Sequence, residues 1–150
     1  MKKIIAEEIN NEWQQRWNTQ FTHLRAYQQD VNQRTDFADP QGPRQHEVIL
    51  HRLRLGHTRL NGHLARFDII PDATCEQCNH DNETSQHFLI ECPAYAAYRH
   101  QLLLRIRRFL PIVTLDKRTL LCAPDYLTLN QKRAIASALG HFVQDTQRDI

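Results

Sequence analysis

Cys75, Cys78, His87 and Cys92 stand in the pattern C-x2-C-x8-H-x4-C within the stretch CEQCNHDNETSQHFLIEC. Three thiols and one imidazole at this spacing suit a tetrahedral Zn²⁺ ion. Protein then fills all four positions, and none stays open for a reactive water, so the expected role is structural rather than catalytic. His80 is the competing ligand to His87. Cys122 lies far along the chain and reads as a buried core thiol. A disulfide framework fits less well, because three of the 4 cysteines crowd into one window and no secreted context accompanies them.

These ligands need elements to hold them. A Cys-x-x-Cys turn brings Cys75 and Cys78 around one ion, and the polar run NHDN after it reads as a loop. Asn82 or Thr84 is placed to cap a short helix carrying SQHFLIE. On an unbroken α-helix His87 and Cys92 would point about 140° apart, at ~100° per residue. Pro93 is expected to stop the helix directly after Cys92 and turn the chain so that both reach the ion. Phe88 and Leu89 are expected to tie this lobe to the core.

The rest of the chain reads as mainly α. Ile5, Ile9, Trp13, Trp17 and Phe21 recur every four residues, an amphipathic helix that Leu24, Tyr27 and Val31 extend or continue as an arm. The run TDFADPQGPR, with two prolines and a glycine, is the clearest linker. A helix is expected from Gln45 to Leu55, ended by Gly56, with a short one in TRLNGHLARF. A long helix runs from Ala94 to Leu110 and stops at Pro111. Asp116 to Leu121 adds a turn, and Thr128 or Asn130 caps a last helix bearing Ile135, Leu139, Phe142 and Val143. No segment alternates convincingly as a strand. The expectation is a single helical domain over 1–150 built around the CCHC site. It divides into a Trp helix and arm (1–38), basic helices and zinc knuckle (44–110), and a C-terminal helical segment (111–150). The Trp stripe is expected to fold back onto the chain's own helices across the linker, with self-association through Trp13 and Trp17 as the alternative.

The net charge of +2 conceals a segregated pattern. Between Arg44 and Arg66 there are five arginines and one acid, Glu47. Between Pro93 and Leu115 there are four arginines and no acid. The intervening segment, Asp68 to Glu91, has six acids and neither Lys nor Arg. A phosphate backbone would avoid the acidic metal loop and meet the basic helices beside it. Arginine favours bidentate phosphate contacts and stacking on bases. Arg52, Arg54, Arg59, Arg66, Arg105, Arg107 and Arg108 are the candidate nucleic-acid residues. Not all of them share one face, since Arg52 and Arg54 are ~200° apart on a helix. No paired-Asp metal site and no Ser or Cys triad is present, which argues against catalysis. The N-terminal MKKIIAEEINNEW lacks a signal peptide's apolar run, and no stretch suits a membrane span. Free cysteines with a zinc pattern suit an intracellular, nuclear or cytoplasmic setting.

The run RQHEVILHRLRLGHTRLNGHLARF, then C-x2-C, then ETSQHFLIECPAYAAYR, resembles the segment that follows the RNase H domain in non-LTR retrotransposon polyproteins. That family pattern has a tryptophan-rich helix, an LRLGHT-like helix, a zinc knuckle and a TxxHxLxxCPxYxxxR ending. Its counterparts here are Trp13 and Trp17, Leu53 to Thr58, Cys75 and Cys78, and Thr84, His87, Cys92, Pro93, Tyr95 and Arg99. The resemblance spans roughly residues 5–104 and leaves the final third less diagnostic. It implies a zinc-binding accessory module of a reverse transcriptase that grips RNA or DNA, joined through its first helix to an RNase H domain or another protein. The chain departs from that family in having no polymerase or nuclease domain. A zinc-stapled protein-interaction module is the alternative.

Overall fold

The computed structural model describes residues 2–20, 43–123 and 126–150. The chain divides into two compact units, Met1–Asp36 and Phe37–Ile150. Among the described residues the secondary structure is entirely helical, the mainly-α fold that the periodicities require.

The first unit contains α1, Lys2–Gln20. Its i,i+4 pairs, Arg16–Glu12 at 2.7 Å and Gln14–Asn18 at 3.0 Å, lie along an exposed face. Ile5, Ile9 and Trp13 of this helix are 51, 49 and 63 % exposed. The expected extension through Leu24, Tyr27 and Val31, and the linker up to Gly42, lie outside the described residues.

The second unit carries α2 (Arg44–Leu55), α3 (Asn61–Arg66), α4 (Ala96–Arg107), α5 (Lys117–Cys122) and α6 (Leu129–Thr146). Helix α6 is its spine. Ile135, Leu139, Phe142 and Val143 recur at three- and four-residue intervals and are buried. Helices α2 and α4 both pack on it, and α5 closes one end. Leu50 and Leu53 of α2, Leu102 and Ile106 of α4, and Leu120 and Leu121 of α5 complete the apolar core. His46 of α2 is buried against Gly140 of α6, and its Nε2 lies 3.1 Å from the Gln144 side chain.

Local chemistry sets the helix ends. Thr128 and Gln131 cap α6 reciprocally, each side chain bonding the other's backbone N–H at 3.3 and 2.9 Å. Asp116 caps α5 by accepting from the Thr119 N–H at 2.7 Å. The helix expected from Ala94 begins as a 3-10 turn, Pro93–Tyr95, and runs as α4 only to Arg107. Proline at the first position costs the turn no hydrogen bond. No helix among the described residues is long and apolar enough to cross a membrane.

Candidate metal centre

The Cys75–Cys78 turn is fixed by its own backbone. The Asn79 N–H donates to the Cys75 carbonyl and the Cys75 N–H to the His80 carbonyl, both at 2.8 Å. Asn79 takes the left-handed conformation, φ 59°, which asparagine tolerates better than most residues. The Glu83 N–H then donates to the Ala73 carbonyl at 2.8 Å and closes the loop at its base. Thr84, rather than Asn82, supplies the cap of the following helix: its Oγ1 accepts from the His87 N–H at 3.0 Å.

The helix then widens. His87–Glu91 is a π-helix, and the Cys92 N–H donates to the His87 carbonyl five residues back, at 2.7 Å. This corrects the expected geometry. With about 4.4 residues per turn, residues five apart on a π-turn differ by roughly 50° rather than ~140°. The wide turn itself brings His87 and Cys92 to one side, and Pro93 follows a pair that is already aligned. Single π-turns of this kind recur at functional sites.

The four side chains converge. Their ligand atoms all lie within 4.8 Å of one another. Cys75 and Cys92 Sγ are 4.0 Å apart, and Cys78 Sγ is 3.2 Å from His87 Nε2. Two sulfurs on one tetrahedral ion, each at about 2.3 Å, sit roughly 3.8 Å apart, and a sulfur and an imidazole nitrogen roughly 3.5 Å. The donor set thus has the dimensions of a single four-coordinate cation. His80 does not join it; its ring stacks on that of His87, centroids 4.4 Å apart, and its Nδ1 faces the Asn82 carbonyl. Cys122 is half-buried on α5, away from this group.

The electrostatics favour a bound cation. Burial pushes the Cys75 thiol up, and pushes that of Cys92 up to about 11. Burial, reinforced by His80, pushes the His87 imidazole down and keeps it neutral, the form that donates a lone pair. Thiolates in this pocket need a positive ion to offset their desolvation. A divalent ion on three thiolates leaves one net negative charge, and Arg99, half-buried, lies beside it. Its guanidinium donates to the Cys92 carbonyl, and burial lowers its own pKa.

A surrounding layer of side chains holds the loop to the helical core, and sequence reasoning did not find it. Glu83 is 1 % exposed. Its carboxylate receives Arg148 Nε at 2.9 Å, Arg148 Nη2, and the Asn61 backbone N–H at 2.8 Å. Arg148 also donates to Asn61 Oδ1 at 3.1 Å, and Asn61 Nδ2 to the Thr74 carbonyl at 2.7 Å. Gly62 is needed where α3 meets the loop: a Cβ there would lie 2.2 Å from Asn82 Oδ1 and 2.9 Å from the Glu83 carbonyl. Phe88 and Leu89 are fully buried, as expected of the link to the core. The Phe88 ring lies 5.1 Å from that of Tyr95 and 5.4 Å from that of Phe142 on α6. Thr84, Tyr95 and Arg99 thus have structural work around the cluster: a cap, a packing ring and a charge.

The candidate nucleic-acid arginines fall into two groups. Arg52 donates to the Ile150 backbone oxygen and Arg54 to the Leu121 carbonyl. Arg59 pairs with Asp149, and Arg105 with Asp145 at 3.0 Å. Arg66 is exposed, with its guanidinium 5.2 Å from the centre of the Phe67 ring. Arg107 and Arg108 are exposed at the end of α4. No protein-family model, curated protein or solved structure matches the chain.

Proposed function

We propose that the chain is a zinc-stapled, non-catalytic nucleic-acid-binding module, akin to the tail after the RNase H domain of retrotransposon reverse transcriptases. Zinc is the ion that best suits three thiolates and an imidazole in a closed tetrahedron. Cys75, Cys78, His87 and Cys92 would hold it, and it would supply structure by fastening the loop to α4. Four protein donors leave no open position for substrate, which supports a structural role.

The observation that carries the nucleic-acid reading is the charge segregation. Arginines flank the acidic metal loop on both sides in sequence, and Arg66, Arg107 and Arg108 remain exposed without an acidic partner among the described residues. Arg52, Arg54, Arg59 and Arg105 also serve internal contacts, and their contribution to phosphate binding would be correspondingly smaller. The test is binding of the zinc-loaded chain to single- and double-stranded RNA and DNA across a salt series. Affinity that falls steeply with salt is expected, because each phosphate contact releases counterions. Absence of binding at low salt would sink the reading.

One observation favours a second role in protein docking. The exposed Ile5, Ile9 and Trp13 of α1 form an apolar stripe suited to a neighbouring polymerase or RNase H domain, or another protein. A mainly apolar contact would show little salt dependence.

A further inference from the structure

Phe67 ends α3 with 51 % of its surface exposed, unusual for a phenylalanine whose backbone is held so firmly. Its N–H donates to the Leu64 carbonyl at 3.2 Å, the Asp68 N–H to Ala65 at 3.0 Å, and the Ile69 N–H to Leu64 at 3.0 Å. Asp68 turns the chain through the left-handed region, φ 54°. The ring is braced as well. His63 lies against it with centroids 4.8 Å apart, and His57 meets His63 edge-on at 5.4 Å. Burial, then the neighbouring His57 and Arg66, push the His63 imidazole down, so it packs as a neutral ring. The Arg66 guanidinium stands 5.2 Å from the Phe67 ring centre. Through Asn61, α3 is bolted to the metal loop.

We infer that His57, His63, Arg66 and Phe67 form a stacking platform for an unpaired base of a single-stranded nucleic acid. The inference rests on the nucleic-acid reading above and specifies the form of strand. A flat, rigid, half-open ring gives a base an apolar surface without the entropy of ordering a loose side chain. The arginine beside it adds a cation to reach the adjoining phosphate or to extend the stack. The carboxylate of Asp68 follows directly, so the phosphates run on the Arg66 side, toward the basic α2 and α3 segment. A base inside a duplex has its faces taken by its neighbours, which makes the platform selective for unpaired strands.

The test uses the full zinc-loaded chain and three probes of equal length: an oligothymidylate, the same strand with abasic sites throughout, and a duplex. Binding is read by fluorescence anisotropy. Phe67→Ala is expected to weaken binding to oligothymidylate by roughly 5- to 100-fold, the loss of one aromatic–base stack. It should leave the abasic strand and the duplex within about twofold, with the salt slope unchanged. Phe67→Trp, made in a Trp13→Phe/Trp17→Phe background so that its indole is the one observed, should keep the affinity, and its fluorescence should be quenched by oligothymidylate and not by the abasic strand. Quenching in this arm settles the matter even if Phe67→Ala perturbs the fold. Equal losses on all three probes, or no loss on oligothymidylate together with an unquenched indole, would overturn the platform while leaving nucleic-acid binding intact. Failure of the wild-type chain to bind any probe would instead remove the nucleic-acid reading and the platform with it.

Discussion

At the residue scale, the centre depends on four donors that cost energy to bury unless an ion joins them. Cys78→Ser removes one thiolate, and the remaining three donors hold zinc more weakly by the share of binding energy that thiolate supplied. Elemental analysis of the purified, reduced variant is expected to find zinc near background, with the wild type near one ion per chain. The pH dependence has a definite sign. The ion binds thiolates, whereas burial keeps Cys75 and Cys92 protonated without it, Cys92 with its pKa pushed up to about 11. Metal binding therefore expels protons, and affinity rises with pH. A chelator competition at about pH 6 and about pH 8 should give clearly weaker zinc binding at the lower value. A second prediction concerns Glu83 and Arg148, a pair whose side chains are 1 % and 18 % exposed. Removing one member strands a buried charge, so Arg148→Ala is expected to cost on the order of 3–5 kcal/mol of stability. Arg59→Ala breaks the Arg59–Asp149 pair, whose side chains are 66 % and 59 % exposed. That change should cost less than about 1 kcal/mol. Urea unfolding of both variants separates them, and equal midpoints would refute the structural role of the Glu83–Arg148 pair.

At the scale of elements, the contact between α2 and α6 turns on Gly140. Alanine normally stabilises a helix interior by about 1 kcal/mol relative to glycine. Here its Cβ would lie 2.2 Å from the ring of His46, which is buried and bonded to Gln144. Gly140→Ala is therefore expected to destabilise the protein by roughly 1–3 kcal/mol, the usual cost of overfilling a packed contact. A raised melting temperature would show that α2 yields freely. The cap of α6 was legible as Thr128 or Asn130, and Thr128 supplies it, because a cap acts within one turn; Asp116, expected as the first residue of the α5 turn, is its cap instead. The four converging side chains were legible for the same reason: C-x2-C-x8-H-x4-C is a local pattern. The π-turn was not, since helical reading assumes one periodicity, and nothing in HFLIE marks a switch to five-residue hydrogen bonds. Arg148 was missed because its partner Glu83 lies 65 residues away, and no local spacing encodes such a pairing. The same distance problem affected the arginines. Their count showed a basic segment, but only the folded chain reveals that Arg105 faces Asp145 and Arg54 faces a carbonyl of α5.

On the scale of the whole molecule, the unit with the Cys/His cluster and the helix ahead of it are built on different principles. The unit from Phe37 to Ile150 has a buried core centred on α6 and a loop whose Cys75, Cys78, His87 and Cys92 converge on one point. Helix α1 keeps Ile5, Ile9 and Trp13 about half exposed. Each Å² of apolar surface left in water forgoes about 25 cal/mol. Such a stripe is best satisfied by a second apolar helix, and in a purified sample the commonest one is another copy of α1. Sedimentation equilibrium of the wild-type chain is therefore expected to show concentration-dependent association. The variant Trp13→Ala/Trp17→Ala should sediment as a monomer, because it removes the two largest side chains of the stripe. Its zinc content and the thermal transition of the second unit should stay as in the wild type. Two monomers, with the variant melting several degrees lower, would place α1 in the core instead. That outcome would support the fold-back that the periodicity suggests.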